Sequence, residues 1–165
     1  MGTSDSRAQI IAFFDAFYAG DVPRTLACCD NDVLLMVYLP IELFPHLVPR
    51  RGKQAMAAMV ELHLARYSER RYQMTYMAVD RLRVATILEL SLTKRADGRV
   101  MQFATGNFFT LRRGLITEMR TFFDTVDMIE QLTGRDLVGP LLGEAAAALR
   151  PPPSPVGPPP IKRIK

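Results

Sequence analysis

The chain has 165 residues, 48% of them hydrophobic and 23% charged, which suits one globular domain with a sizeable core. The net charge of +4 and the pI of 9.3 invite a nucleic-acid reading, but Arg150, Lys162, Arg163 and Lys165 supply the whole basic excess from the C-terminal tail. The remainder is formally neutral and offers no footprint for a phosphate backbone.

No run approaches the roughly 20 apolar residues of a membrane span. The opening Met-Gly-Thr-Ser-Asp-Ser-Arg lacks the basic, apolar and small-residue regions of a secretory signal. The two cysteines, Cys28 and Cys29, are adjacent. Neighbours cannot staple distant segments, so they read as packing residues in a reducing cytosol. The expectation is a cytoplasmic protein with no nucleic-acid or membrane partner. No His, Asp or Glu pair has metal-ligand spacing, and there is no Gly-rich phosphate loop, so no metal and no cofactor is expected.

In chain order, Ser6-Arg7-Ala8-Gln9 reads as a capping box. Ile10, Phe13, Phe14 and Phe17 follow at helical spacing, and Gly20 closes that helix. Asp21 is placed to cap a second, short helix through about Cys29, with Pro23 in its first turn. Val33 to Leu39 is a continuous apolar run and predicts a buried strand. Pro40, Pro45 and Pro49 make the next stretch a loop, apolar enough to fold over a cavity or into an interface. Gly52 precedes a third helix with Met56, Met59, Val60 and His63 on one face.

The pattern then changes. Arg71 to Val79, Leu82 to Thr93, Val100 to Leu111 and Leu115 to Phe123 predict four strands, with turns at Ala96-Asp97-Gly98 and Arg113-Gly114. Short helices are expected over Val126 to Leu132 and Leu141 to Leu149. Arg150 to Lys165 is a Pro-rich basic tail, extended and separate from the domain formed by residues 1–149. Helices early and strands late give an α+β layout: a strongly curved antiparallel sheet wrapped over three N-terminal helices in a cystatin-like cone, with a cavity suited to a small molecule. Leu82 to Leu92 carries apolar residues on both parities, so the far face of the sheet is expected to pair in a homodimer.

Three stretches carry a resemblance: Phe13-Phe14-Asp15-Ala16-Phe17-Tyr18-Ala19-Gly20-Asp21, Arg51-Gly52-Lys53-Gln54-Ala55-Met56, and Asn107-Phe108-Phe109-Thr110-Leu111-Arg112-Arg113-Gly114-Leu115-Ile116 continuing to Arg120-Thr121-Phe122-Phe123-Asp124. In this order the chain resembles the nuclear transport factor 2-like superfamily, over about residues 6 to 133. Within it the chain is similar to SnoaL-like polyketide cyclases, limonene epoxide hydrolases and ketosteroid isomerases.

The resemblance implies roles residue by residue. Asp124 matches the general acid/base of the cyclases and epoxide hydrolases, and a carboxyl beside Phe122 and Phe123 entering an apolar cavity would be desolvated toward the working range. The plainer alternative is that Asp124 caps the following helix. Asn107 falls where the isomerases have an oxyanion-hole acid, and its amide can donate there without titrating. The isomerases' tyrosine and general base fall at Phe13 and near Val37, which cannot serve. The epoxide hydrolases' charged pair falls at Leu88 and Leu90, with Glu89 between them facing the other way on a regular strand.

His46, in the proline loop, is a candidate proton shuttle, whereas His63 reads as a core or interface histidine. Tyr38, Phe13, Phe17, Phe109, Arg120 and Phe122 are the expected ligand-binding residues. Two functions stay open. One is acid/base isomerisation, cyclisation or hydration of a hydrophobic carbonyl compound through Asp124, helped by Asn107, Tyr38 or His46. The other is a non-catalytic ligand-binding, dimerisation or adaptor module on the same fold.

Overall fold

The first helix forms where the apolar spacing predicts it. In this computed structural model, which describes residues 3–39 and 49–139, α1 spans Thr3–Ala19 and buries Ile10, Phe13, Phe14, Ala16 and Phe17 along one stripe. The loop carrying His46, the helix expected over 141–149 and the Pro-rich tail lie outside the described residues. Ser6 is not a cap. It sits fully buried inside α1, and its hydroxyl donates to the carbonyl of Arg81 at 3.1 Å. Gly20, at φ +79°, ends the helix, and a side chain there would collide with Leu64. Asp21 caps α2 (Val22–Ala27) as expected, accepting from the Arg24 amide at 3.0 Å.

β1 (Cys29–Val37) follows, then β2 (Arg50–Arg51), then α3 (Lys53–Arg66), which buries Met56 and Val60. β2 occupies part of the stretch expected to be loop throughout. Its ladder with Leu34 and Leu35 is a long-range pairing that local proline signals do not carry. The meander is as predicted: β3 (Tyr67–Asp80), β4 (Arg83–Lys94), β5 (Val100–Arg112) and β6 (Leu115–Phe123), each antiparallel to the next. β3 starts before the expected Arg71, because polar Glu69 and Arg70 are drawn into pairing with Thr93 and Leu92.

The turn from β4 to β5 uses Gly98 at φ +71°. Beside it, Lys94 and Arg99 both donate to the Asp97 carboxylate. The Lys94 bond first, then those from Arg99, hold that carboxyl at about 2.

The six strands form one sheet in the order β2-β1-β6-β5-β4-β3. The sheet is not antiparallel throughout: β1 runs parallel to β6, because the chain leaves β1 and returns only after α3 and the first three meander strands. Register breaks between Met74 and Tyr76, and opposite Thr110 and Leu111, are the bulges that bend a sheet. The helices cover one face. There Phe109 meets Phe13 and Phe14 edge-on, at centroid distances of 5.8 and 5.4 Å.

By its internal contacts the chain divides after Thr125 into two units. In the second, the Glu130 carboxylate accepts from the amides of Leu137 and Val138 at 2.8 and 3.1 Å, beyond α4 (Thr125–Thr133). Among the described residues no helix is long and apolar enough to cross a membrane.

Candidate functional site

Strand alternation sorts the sheet's side chains into two sets. On the helix-covered face, register aligns three transverse rows. The middle row is Met77, Thr86, Asn107, Thr121 and Val37. One neighbouring row is Val79, Val84, Phe109, Met119 and Leu35; the other is Met74, Leu88, Thr105 and Phe123. Polar groups therefore cluster in an otherwise apolar field.

Asn107 is the centre of that cluster and only 2% exposed. Thr121 Oγ1 donates to its Oδ1 at 3.0 Å, and its Nδ2 donates to Thr105 Oγ1 at 3.1 Å. Thr86, directly across the ladder from Asn107, is also 2% exposed, yet its hydroxyl has no hydrogen-bond partner. Buried polar groups are normally satisfied, so this hydroxyl calls for an explanation, as does His63 Nδ1, which is likewise buried without a partner. None of the three rows contains a charged residue.

The sequence-predicted residues separate between the faces. Asn107, Phe13, Phe17 and Phe109 lie on the inner side and are buried. Tyr38, Arg120 and Phe122 lie on the outer side, since each is one residue out of phase with an inward neighbour: Val37, Met119 and Thr121 respectively. Tyr38 and Phe122 stack there, with centroids 4.1 Å apart and planes at 11°. Arg120 Nε bonds Glu118 Oε1 at 2.5 Å. These three therefore do not share a face with Asn107. Asp124 follows β6 directly and is exposed. His46 lies outside the described residues. Glu89 is exposed between buried Leu88 and Leu90, as regular alternation requires.

The outer face has a concavity of about 560 Å³ lined in part by Ala78, Arg83, Ala85, Phe108, Glu118 and Arg120. Sequence reasoning did not single out Arg83 and Glu118, nor Thr86, Thr105 and Thr121. The last three are ordinary strand residues until register sets them around Asn107. Only the Thr105-x-Asn107 spacing hinted at a shared face.

Two buried groups elsewhere are inert rather than poised. Burial raises the Cys29 thiol to about 12, and it donates weakly to the Thr25 carbonyl. His63 is packed against Phe17 and Tyr67, at 5.1 and 5.4 Å. Its desolvation, followed by Arg70 and Arg66, lowers it to about 4.

The family model for the SnoaL-like domain matches residues 10–119. A search of proteins with curated function gave no match. Among solved structures, an NTF2-like protein of unknown function from Burkholderia pseudomallei superposes with a TM-score of 0.71 at 18% identity, covering 81% of this chain and 99% of that one. A candidate SnoaL-like polyketide cyclase from Jannaschia sp. gives 0.69 at 12%, covering 81% and 94%. An LEH-like epoxide hydrolase of M. tuberculosis gives 0.64 at 22%, covering 84% and 96%. At such identities the likeness establishes the fold, and function has to be argued from the site. Together with the family match, it places this chain in the SnoaL-like family, on the nuclear transport factor 2-like fold.

Proposed function

We propose that the chain binds a small hydrophobic molecule on the inner face of its sheet, with the Asn107 row as the polar anchor. The observation that carries this is the Thr86 hydroxyl, buried and unpartnered across the ladder from Asn107. A pocket of this kind orients its ligand with a few convergent polar groups in an apolar lining. Titrating methyl-labelled protein with hydrophobic fragments tests it. Shifts centred on Thr86, Met77 and Met119 are the expected result, and shifts confined to the outer face would overturn it.

Chemistry at such a site requires a group that titrates, and the three rows have none. The family reading supplies Asp124 for isomerisation, cyclisation or hydration of a bound carbonyl compound. What supports it is the closeness of Asp124 along the chain to Phe123, an inner-row residue by its register with Thr105, with Asp124 itself exposed. Turnover that is unchanged in Asp124→Asn would remove this assignment and leave a binding protein.

A second reading concerns the outer face. Tyr76, Ile87, Phe108, Phe122 and Tyr38 are between 39% and 54% exposed and lie in two adjacent transverse rows. Beside them the concavity presents two acids, Asp80 and Glu118, and two bases, Arg83 and Arg120. An apolar patch with balanced charge is complementary to itself, which fits a second copy of this chain across a two-fold axis. Sedimentation equilibrium decides it: a dimer is expected, and a monomer at micromolar concentration would contradict it.

A further inference from the structure

Beyond both readings above, we propose that the outer concavity binds an aromatic α-amino acid as its zwitterion, with Arg83 on the carboxylate, Asp80 on the ammonium and Phe108 against the ring. Register defines the place. One transverse row of the outer face is Ala78, Ala85, Phe108 and Arg120, and the next is Asp80, Arg83, Thr110 and Glu118. The concavity of about 560 Å³ lies over these two rows, a volume within the ordinary range for small-molecule sites. The row of Tyr76, Ile87, Phe122 and Tyr38 runs along its other side, with Phe108 at the boundary.

The hollow follows from two small residues. Ala78 and Ala85 are direct partners on neighbouring strands, and side chains this short leave space above the sheet that larger ones would fill. Phe108, 51% exposed, stands beside Ala85 on the next strand. An aromatic wall over an alanine floor accepts a flat ring by offset or edge-on contact.

The four charges around the hollow are not equivalent. Glu118 and Arg120 are bonded to each other, and Arg120 also bonds the Tyr38 hydroxyl. Asp80 and Arg83 are partners across the turn at Arg81-Leu82, yet among the described residues neither has a hydrogen bond or an ion pair. An uncommitted acid and an uncommitted base thus stand side by side at one end of the alanine floor. A simple anion would meet Arg83 and be repelled by Asp80, and a simple cation the reverse. An α-amino acid carries both charges on one carbon and satisfies both groups at once, with the guanidinium fork on the carboxylate. From the charged row to the alanine row is two residues of strand, about 7 Å, close to the reach from the α-carbon of phenylalanine to the far edge of its ring.

Four probes test this on the full chain, followed by the methyl signals of Ala78 and Ala85: L-phenylalanine, its amide (ammonium only), 3-phenylpropanoate (carboxylate only) and L-alanine (no ring). The expected result is that phenylalanine binds about fivefold tighter than either singly charged analogue, and that alanine binds more weakly still. Arg83→Gln should make phenylalanine and its amide equal, and Asp80→Asn should make phenylalanine and phenylpropanoate equal. Ala85→Leu, which fills the floor on an outward face, should abolish binding with the circular dichroism spectrum intact. Phenylalanine bound no tighter than the singly charged analogues or alanine, full binding by Ala85→Leu, or no binding by a folded wild type would each overturn the proposal. None of these outcomes bears on the inner-face site, whose reporters are Thr86, Met77 and Met119.

Discussion

Thr86 and Asn107 face each other across the β4–β5 ladder, equally buried at 2% exposure, yet only Asn107 has side-chain hydrogen-bond partners. The Asn107 amide is held on both sides by threonine hydroxyls, at 3.0 and 3.1 Å, while the Thr86 hydroxyl has no partner. A sheet that keeps an orphan hydroxyl beside hydrogen-bonded neighbours gives up stability at that position.

The stability consequence can be measured without any ligand. Thr86→Val replaces the orphan hydroxyl with a methyl of the same shape. The free protein should gain about 1 kcal/mol, read as a higher midpoint in urea with an unchanged slope. A loss of stability would mean that the hydroxyl is satisfied in solution.

Asn107→Leu should do the opposite. It removes the amide and leaves the Thr105 and Thr121 hydroxyls buried with their shared partner gone. A loss of about 2 kcal/mol is expected from stranding buried polar groups, again from denaturant unfolding. The contrast in sign between two residues facing each other is what distinguishes an orphan from a network member.

Much of this was legible in the sequence, and the part that was not has a common cause. The Phe13-Phe14-Phe17 spacing, the Asp21 cap and the Asp97-Gly98 turn are local signals and gave the right elements. The faces of Tyr38, Arg120 and Phe122 were missed, because a residue's side depends on register with strands far along the chain. Thr86 was missed for the same reason: nothing local distinguishes it from Thr93, on the same strand and of opposite parity. The parallel β1–β6 pairing and the role of Ser6 are likewise long-range, the latter a hydrogen bond across 75 residues.

The Ser6 bond gives its own prediction. Its hydroxyl ties α1 to the Arg81 carbonyl, in the turn between β3 and β4. Ser6→Ala should cost about 1 kcal/mol and increase hydrogen exchange around Arg81, where φ is +52°. Unchanged exchange there would show that the bond carries no load.

Acid should destabilise the fold through His63. Burial first, then Arg70 and Arg66, hold its folded value at about 4, below the ordinary 6.5. The charged groups facing it are thus both cationic, and its ring neighbours Phe17, Tyr18 and Tyr67 bring no anion. A depressed histidine leaves the unfolded chain binding more protons, so its contribution is complete above about 6.5 and is lost as pH falls toward about 4. His63→Leu should flatten the melting temperature against pH across that window. A wild-type profile that stays level between pH 6.5 and 4 would contradict the account.

On the outer face, Phe108→Glu combined with Phe122→Glu should yield a monomer with an intact circular dichroism spectrum. Both side chains are exposed and neither supports the inner rows, so loss of association without loss of fold is the expected outcome of analytical ultracentrifugation.

The central claim is most directly tested by a structure of the chain with a bound hydrophobic fragment. The account predicts the ligand between the helices and the sheet, with a polar atom about 3 Å from Thr86 Oγ1. A fragment seated instead on the outer face, over Phe108 and Arg120, would contradict it.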